Sequence, residues 1–310
     1  TASMNAVILN PTAGHGKARQ LWARSKPALE RALGPLRLYE TRFQGHAGEL
    51  CREALAEGAR RIVAFGGDGT FREAADGLLS MPPDRRPGVS LGLFPAGSGC
   101  DMARHLGYPA GADAVGALLA GGKVRFLDVI RAEFTADDGS RALWHLTNMA
   151  AFGIPGEVVL AMRGTGKPLG GTLSYLLVTL GVLLRSQPRA CELVLDGGRL
   201  PESGFHAVIL ANTSSTGGGM KVAPEADAQD GVFELLTIGA MSRWRMLRSL
   251  PGLYRGRRPQ DPGVRLRRGR RLEARLLSGT NAPLNLDGEC AGSLPASFEI
   301  SPGALPVIAP

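Results

Sequence analysis

The 310 residues predict two domains: an α/β domain built on a Rossmann-like parallel sheet, then an antiparallel β-sandwich domain. Over residues 4 to 127, short apolar strands alternate with longer amphipathic stretches, the rhythm of right-handed βαβ units. After Asp128, strand-like runs follow one another with only turn residues between them. Three glycine-rich turns also fall at the ends of strands in the first half.

Taken in order, Asn5 to Asn10 reads as the first strand and Ala18 to Leu33 as the helix behind it. Leu36 to Glu40 follows as a strand, Ala47 to Glu57 as a helix, Arg61 to Phe65 as a strand, Phe71 to Leu79 as a helix and Val89 to Phe94 as the fourth strand. In the second half, strands are expected at Phe126 to Phe134, Leu143 to Met149, Cys191 to Leu195, His206 to Asn212, Val232 to Ile238, Val264 to Leu266 and Leu272 to Leu277. Helices interrupt them at Gly170 to Ser186 and Ser242 to Tyr254. The boundary is set at 127/128, with the closing residues 298–310 returning to the first domain.

An apolar fraction of 44% with 21% charged residues is that of a globular protein. A long, apolar charge-free stretch, Pro168 to Leu184, contains a proline and three glycines. It is shorter than the ~20 apolar residues of a membrane span, so it reads as a buried helix. Cys51, Cys100, Cys191 and Cys290 are far apart, which argues against a zinc site or a disulfide framework and for a reducing cytoplasm. No secretory leader pattern precedes the first strand, so secretion is not expected.

The net charge of +8 is unevenly placed: Arg243 to Arg275 holds twelve arginines against two acids, Asp261 and Glu273. Such a block suits anionic lipid headgroups or acidic partners, and reads equally as a solvated face. No nucleic-acid-binding motif accompanies it, so nucleic acid is not an expected partner.

In an open parallel sheet, ligands bind beyond the carboxyl ends of the strands. Asn10 to Lys17 (NPTAGHGK), Gly66 to Thr70 (GGDGT) and Pro95 to Asp101 (PAGSGCD) lie at such ends. Glycines let backbone N–H groups approach phosphate oxygens, and a following helix adds favourable dipole charge. The first turn matches neither G-x-x-x-x-G-K-[ST] nor G-x-G-x-x-G. An aspartate among phosphates would repel them, and a divalent cation between them reverses the sign. Asp68 therefore implies Mg²⁺, and Mg²⁺ held by few carboxylates plus phosphates implies phosphoryl transfer or hydrolysis. The competing reading, Asp68 as a helix N-cap, does not need the flanking glycines.

As a set, these segments resemble the diacylglycerol/sphingosine lipid kinase superfamily, and most of all its soluble bacterial members. Gly66 to Thr70 with Glu73 looks like the superfamily's G-G-D-G-T signature, which NAD kinases share in similar form. Asn10-Pro11-x-Ala13-Gly14-x-Gly16 resembles its N-P-x-S-G-x-G, Thr41 with His46-Ala47 its T-x-x-x-x-H-A, and Pro95 to Arg104 its P-x-G-T-x-N-D-x-A-R. Gly217 to Gly231 and Asp287-Gly288-Glu289 match segments that NAD kinases lack as a pair. The matches run in order from residue 10 to residue 289.

The resemblance implies a nucleotide-binding domain, a β-rich lipid-binding domain, and Mg²⁺-dependent transfer of the ATP γ-phosphoryl group to a lipid hydroxyl. Diacylglycerol, phosphatidylglycerol or a sphingoid base are the acceptors it suggests. Carried over by position, it assigns nucleotide contacts to Asn10, Pro11, Thr12, Gly14, Thr41, Gly66, Gly67, Asp68, Gly69, Thr70, Glu73, Gly97 and Ser98. Asp68, Asp101 and Asp128 would surround the catalytic metal, and Glu289 would be the general base. Asp227, Asp230 and the Val232 carbonyl would hold a structural cation.

Asp101 reads equally as a cap for a helix starting at Met102, Asp128 as an arginine-paired strand residue, and Asp230-Gly231 and Asp287-Gly288 as turn dipeptides. Cys100 stands where the pattern has asparagine, and Gln229 where it has aspartate. These departures keep open a decayed nucleotide- or lipid-binding module. An NAD-kinase-like enzyme is the other alternative. Peripheral contact with an anionic membrane is expected, and a homodimer is left open.

Overall fold

The structure, a computed structural model, describes residues 4–310 apart from 87, 98, 164–170, 217–218, 240, 255–260 and 280. The chain forms two compact units, one ending at Val129 and completed by Pro302–Pro310, the other Ile130–Ser301.

The first unit begins with strand β1 (Met4–Leu9) and helix α1 (Ala18–Leu33). It continues through β2 (Leu36–Glu40), α2 (His46–Ala56), β3 (Ala59–Gly66), α3 (Asp68–Leu79), β4 (Ser90–Pro95), α4 (Asp101–His105), α5 (Ala112–Gly121) and the start of β5 (Lys123–Thr135). The strands are parallel in the order β2-β1-β3-β4, with Val307 of the returning segment beside Leu91 of β4.

Alternation along β1 sends Val7 and Leu9 to one face, where Trp22 and Leu29 of α1 and Val115 and Leu119 of α5 cover them. Trp22 meets Phe65 edge-on at 5.5 Å, and Phe65 stacks on Phe94 at 4.2 Å. Helices α2 and α3 pack against each other and on β3. Each crossover delivers its next turn to the same end of the sheet, which gathers the three glycine-rich turns.

The second unit contains β6 (Arg141–Leu146), β7 (Met149–Gly153), α6 (Ile154–Met162), α7 (Gly171–Arg185), β8 (Arg189–Leu195), β9 (Gly198–Arg199), β10 (Gly204–Phe205) and β11 (Ala207–Ala211). After these come β12 (Phe233–Ile238), α8 (Arg243–Tyr254), β13 (Val264–Gly269), β14 (Arg271–Leu276), β15 (Pro283–Leu286) and the long β16 (Glu289–Ala309). Antiparallel pairing runs β13-β12-β11-β7-β15-β16, while β14 joins β16 to β8. Phe134, Phe152, Phe205, Phe233 and Phe298 fill the core between these strands. Along β16, Cys290, Leu294, Ala296, Phe298 and Ile300 are buried at period two, as a half-buried strand requires.

Two expectations change. The single strand over Leu143 to Met149 is broken into β6 and β7 by Thr147-Asn148, because Asp287 takes the N–H groups of residues 147, 148 and 149 out of the ladder. Helix α3 starts at Asp68 rather than Phe71, so Asp68-Gly69-Thr70 is a helical turn and not a loop. Among the described residues, no helix is long and apolar enough to cross a membrane.

Candidate active site

In the first unit, one amide ties two of the turns together. Asn10 Oδ1 accepts hydrogen bonds from the Thr12 backbone N–H (3.1 Å) and hydroxyl (2.8 Å), while its Nδ2 donates to Thr70 Oγ1 at 3.1 Å. Pro11 lies between these bonded residues, and the Thr41 N–H donates to the Leu9 carbonyl at 2.9 Å. The turns also touch through backbone. A Cβ on Gly14 would lie 2.5 Å from the Ala96 carbonyl oxygen, and one on Gly97 would lie 2.5 Å from the Gly67 Cα. Only glycine permits that approach, and it leaves the bare backbone that phosphate recognition uses. Ser98 lies outside the described residues.

Asp68 is held between the second and third turns. It does not cap its own helix: its Oδ2 accepts the Asp101 N–H at 2.9 Å and its Oδ1 the Met102 N–H at 3.0 Å, so it caps α4. Burial raises its pKa, the two N–H bonds pull it back, and the Asp101 charge pushes it up again. Asp101 is buried and paired with Arg104, which also donates to the Gly99 carbonyl at 2.9 Å. Cys100 sits in the left-handed region at φ 49°, where asparagine is favoured over cysteine. Burial, then the Asp68 charge, pushes its thiol up to about 11.

Glu73 spends both oxygens on the N–H groups of Gly45 (2.8 Å) and Ala47 (3.1 Å), fastening the start of α2 to α3. Asp128 is buried and accepts the Gly303 N–H at 2.7 Å, which secures the returning segment.

The residues fit a Mg²⁺ ion held by Asp68 together with phosphate and water oxygens. The carboxylate is a half-buried hard donor beside glycine backbone, and a cation would offset the charge that desolvation disfavours. The wider set of three carboxylates does not form. Among the described residues, no group of three or more His, Cys, Asp or Glu side chains stands close enough to hold a metal ion. Asp101 is paired with Arg104, and Asp128 accepts a backbone N–H.

In the second unit, Asp287-Gly288 is a two-residue hairpin turn between β15 and β16, with φ values of 50° and 89°. Asp287 accepts the N–H groups of Thr147 (2.7 Å), Asn148 (3.0 Å) and Met149 (2.6 Å), and the Thr147 hydroxyl at 3.2 Å. This anchors Glu289, the first residue of β16, which is half-buried. Behind the turn, the buried side chains of Asn148 and Thr213 bond each other, and Asn212 donates to the Thr147 carbonyl at 2.9 Å. These residues are absent from the sequence-based site, because in one dimension they look like ordinary polar turn residues.

The expected structural cation site is filled differently. Asp230 Oδ2 is bonded to the Arg268 guanidinium at 2.8 Å, its Oδ1 accepts the Val232 N–H at 3.2 Å, and Asp227 Oδ1 accepts the Gln229 N–H at 3.1 Å. Arg268 also bonds the buried Glu234 at 2.7 Å. With Gln229 uncharged, Asp230 committed to Arg268 and a backbone N–H, and no group of three or more metal-ligating side chains gathered there among the described residues, the residues present do not fit a divalent ion.

Comparison with known proteins agrees with both halves. Residues 5–132 match the family model of the diacylglycerol kinase catalytic domain, and residues 153–309 that of the YegS C-terminal NAD kinase beta sandwich-like domain. Diacylglycerol kinase of Bacillus subtilis is 29% identical over 297 residues, covering 94% of this chain and 91% of its own. That of Mycobacterium tuberculosis is 29% identical over 265 residues, covering 85% and 81%. A crystal structure of a diacylglycerol kinase from Bacillus anthracis superposes with a TM-score of 0.72 at 19% identity, covering 99% of this chain and 97% of that one. Yeast NADH kinase shares the fold at a TM-score of 0.54 and 12% identity, covering 97% and 78%. With both domain models matched in order along nearly the whole chain, the protein belongs to the diacylglycerol kinase superfamily of lipid kinases.

Proposed function

We propose that the chain transfers the γ-phosphoryl group of ATP to the hydroxyl of a lipid alcohol, with diacylglycerol as the leading acceptor and Mg²⁺ as the metal. The observation that carries this reading is Asp68, a half-buried carboxylate bonded across two glycine turns whose backbones touch. In this reading, the Gly14 and Gly97 N–H groups and those of Asp68, Gly69 and Thr70 at the start of α3 face the phosphates, since the N–H groups of Asn10, Thr12 and Ala13 are already bonded within the protein; Thr12 and Thr41 border the nucleotide. Asp68 would hold the metal, which when bound neutralises charge on the transferring phosphoryl group.

Glu289 would accept the proton of the acceptor hydroxyl, since one carboxylate beside that oxygen suffices as general base. Asp287 fixes the hairpin from which Glu289 projects and is a positioning residue. The relatives named as diacylglycerol kinases support the acceptor class.

The test is transfer of labelled phosphate from ATP to a panel of diacylglycerol, phosphatidylglycerol, sphingosine and ceramide in mixed micelles with Mg²⁺. A labelled lipid that disappears with Glu289→Ala and Asp68→Ala is the expected result. Absence of product across the panel, alongside ATP binding, would overturn the reading.

A further inference from the structure

The two helices α7 and α8 pack against each other in the second unit, and Leu183 of α7 and Met246 of α8 join Met241, just before α8, in a small apolar cluster. Their outer sides carry apolar residues as well. Leu176, Leu177 and Leu184 of α7 are 45%, 49% and 47% exposed, and Trp244 of α8 is 73% exposed. The spacing of seven between Leu177 and Leu184 puts both on one side of the helix, while Leu176, seven before the buried Leu183, lies at its edge where the inner stripe emerges. On α8, Trp244 and Arg248 are four residues apart and share the side opposite the buried Met246.

The charge on these helices has one sign. Arg185, Arg243, Arg245 and Arg248 are exposed, and neither helix contains an acidic residue, the one acid paired with them among the described residues being Asp261, beyond α8, 3.4 Å from the still largely exposed Arg245. Exposed leucines and a tryptophan interleaved with arginines are poorly served by water, which favours covering them. The combination has a specific chemistry: tryptophan settles at the headgroup level, leucines enter the acyl boundary, and arginines reach phosphates while laying their stems on apolar surface. A second copy of the chain would bring the same arginines against these arginines, so charge complementarity selects an anionic bilayer.

We propose that the outer side of α7 and α8 is the surface by which this protein seats on anionic membranes, with Trp244 and the α7 leucines inserted and the four arginines on lipid phosphates. The proposal rests on the lipid-kinase reading for its purpose, since a lipid acceptor must be reached where it resides. It is tested without that reading, on vesicles that contain neither acceptor nor nucleotide.

Trp22 is buried and Trp144 half-buried, so Trp244 dominates any change in tryptophan fluorescence at the surface. Vesicles of phosphatidylcholine with phosphatidylglycerol should shift the emission to the blue and sediment the protein, while phosphatidylcholine alone should do neither. Salt should weaken the binding. The variant Arg243→Gln/Arg245→Gln/Arg248→Gln should bind about 100-fold more weakly, at roughly fivefold for each arginine. Trp244→Ser should abolish the shift and weaken sedimentation. Circular dichroism, and kinase activity on micelle-dispersed acceptor, should stay at wild-type levels in both variants.

Undiminished vesicle binding by both folded variants would overturn the proposal. So would a blue shift that follows protein concentration without lipid and tracks a dimer in sedimentation. If vesicle binding behaves as expected while no lipid is phosphorylated, the surface stands and the kinase reading falls.

Discussion

Replacing Asp68 by alanine removes the acceptors of two backbone N–H groups at once. The Asp101 and Met102 N–H groups, 2.9 and 3.0 Å from the carboxylate, are left without it at the start of α4. Charge-assisted bonds of this kind are worth about 1.5–3 kcal/mol each, and the burial that raises the pKa of Asp68 offsets part of the pair. Asp68→Ala should therefore cost about 2–4 kcal/mol of folding stability. Asparagine behaves differently. It keeps an oxygen for one N–H and sheds the half-buried charge, but turns its own N–H₂ toward the other donor; these terms oppose, and Asp68→Asn should fall within about 1 kcal/mol of wild type. Both variants should lose phosphoryl transfer. Urea unfolding followed by circular dichroism, without nucleotide and with chelator, gives the stabilities, and micelle assays give the turnover. Equal stability of the two variants would refute the capping role, and an active Asp68→Asn enzyme would refute the need for charge.

Other predictions follow from the same geometry. Glu289→Gln should lower turnover by about 10²–10⁴-fold, and a change in apparent nucleotide affinity alone would count against a base. Wild-type protein without nucleotide should melt at the same temperature with and without chelator, because Arg268 already serves Asp230 and Glu234; Arg268→Met should melt lower, and a chelator-sensitive wild type would refute this. Burial lowers the pKa of His206, so the folded state keeps it neutral and the unfolded state takes the proton first. Stability should thus fall as pH drops below about 6.5, and His206→Gln should flatten that slope in urea midpoints measured across the range. Cys100→Asn should raise stability by about 0.5–1 kcal/mol by suiting the left-handed backbone, and a lower melting temperature would show that the thiol packs better than φ suggests.

Local pattern carried the first unit far. The limits of α1 are read correctly even across Pro27, because the proline lies on the solvent side and the buried residues keep their spacing. The start of α3 is not, since Asp68-Gly69-Thr70 has no apolar period to announce a helix. The Ala- and Gly-rich α5 goes unread for the same reason, and α4 is read only as a helix from Met102 that Asp101 would cap, one residue late. What stays hidden in the second unit is tertiary. The break between β6 and β7 is imposed by Asp287, 140 residues further along the chain. Strands β15 and β16 mix proline, glycine and serine with small buried side chains, and their ladder partners alone make them strands. Glycine turns and carboxylates could be picked out by their chemistry. The guanidinium in place of a cation could not, because it depends on the register that sets Glu234 opposite Arg268.

Strand β16 also constrains the order in which the protein can be made. Its first part is ladder for the second unit, and its last residues supply the Val307 pairing beside β4 and the Ile308 carbonyl that takes the Tyr108 hydroxyl. On the ribosome, residues 4–129 must therefore wait with an unfilled sheet edge until the end of the chain emerges, while residues 130–301 are already complete. The unit that starts first finishes last, so an unprotected β4 edge during synthesis is the point at which this chain is most open to chaperones or to misassembly.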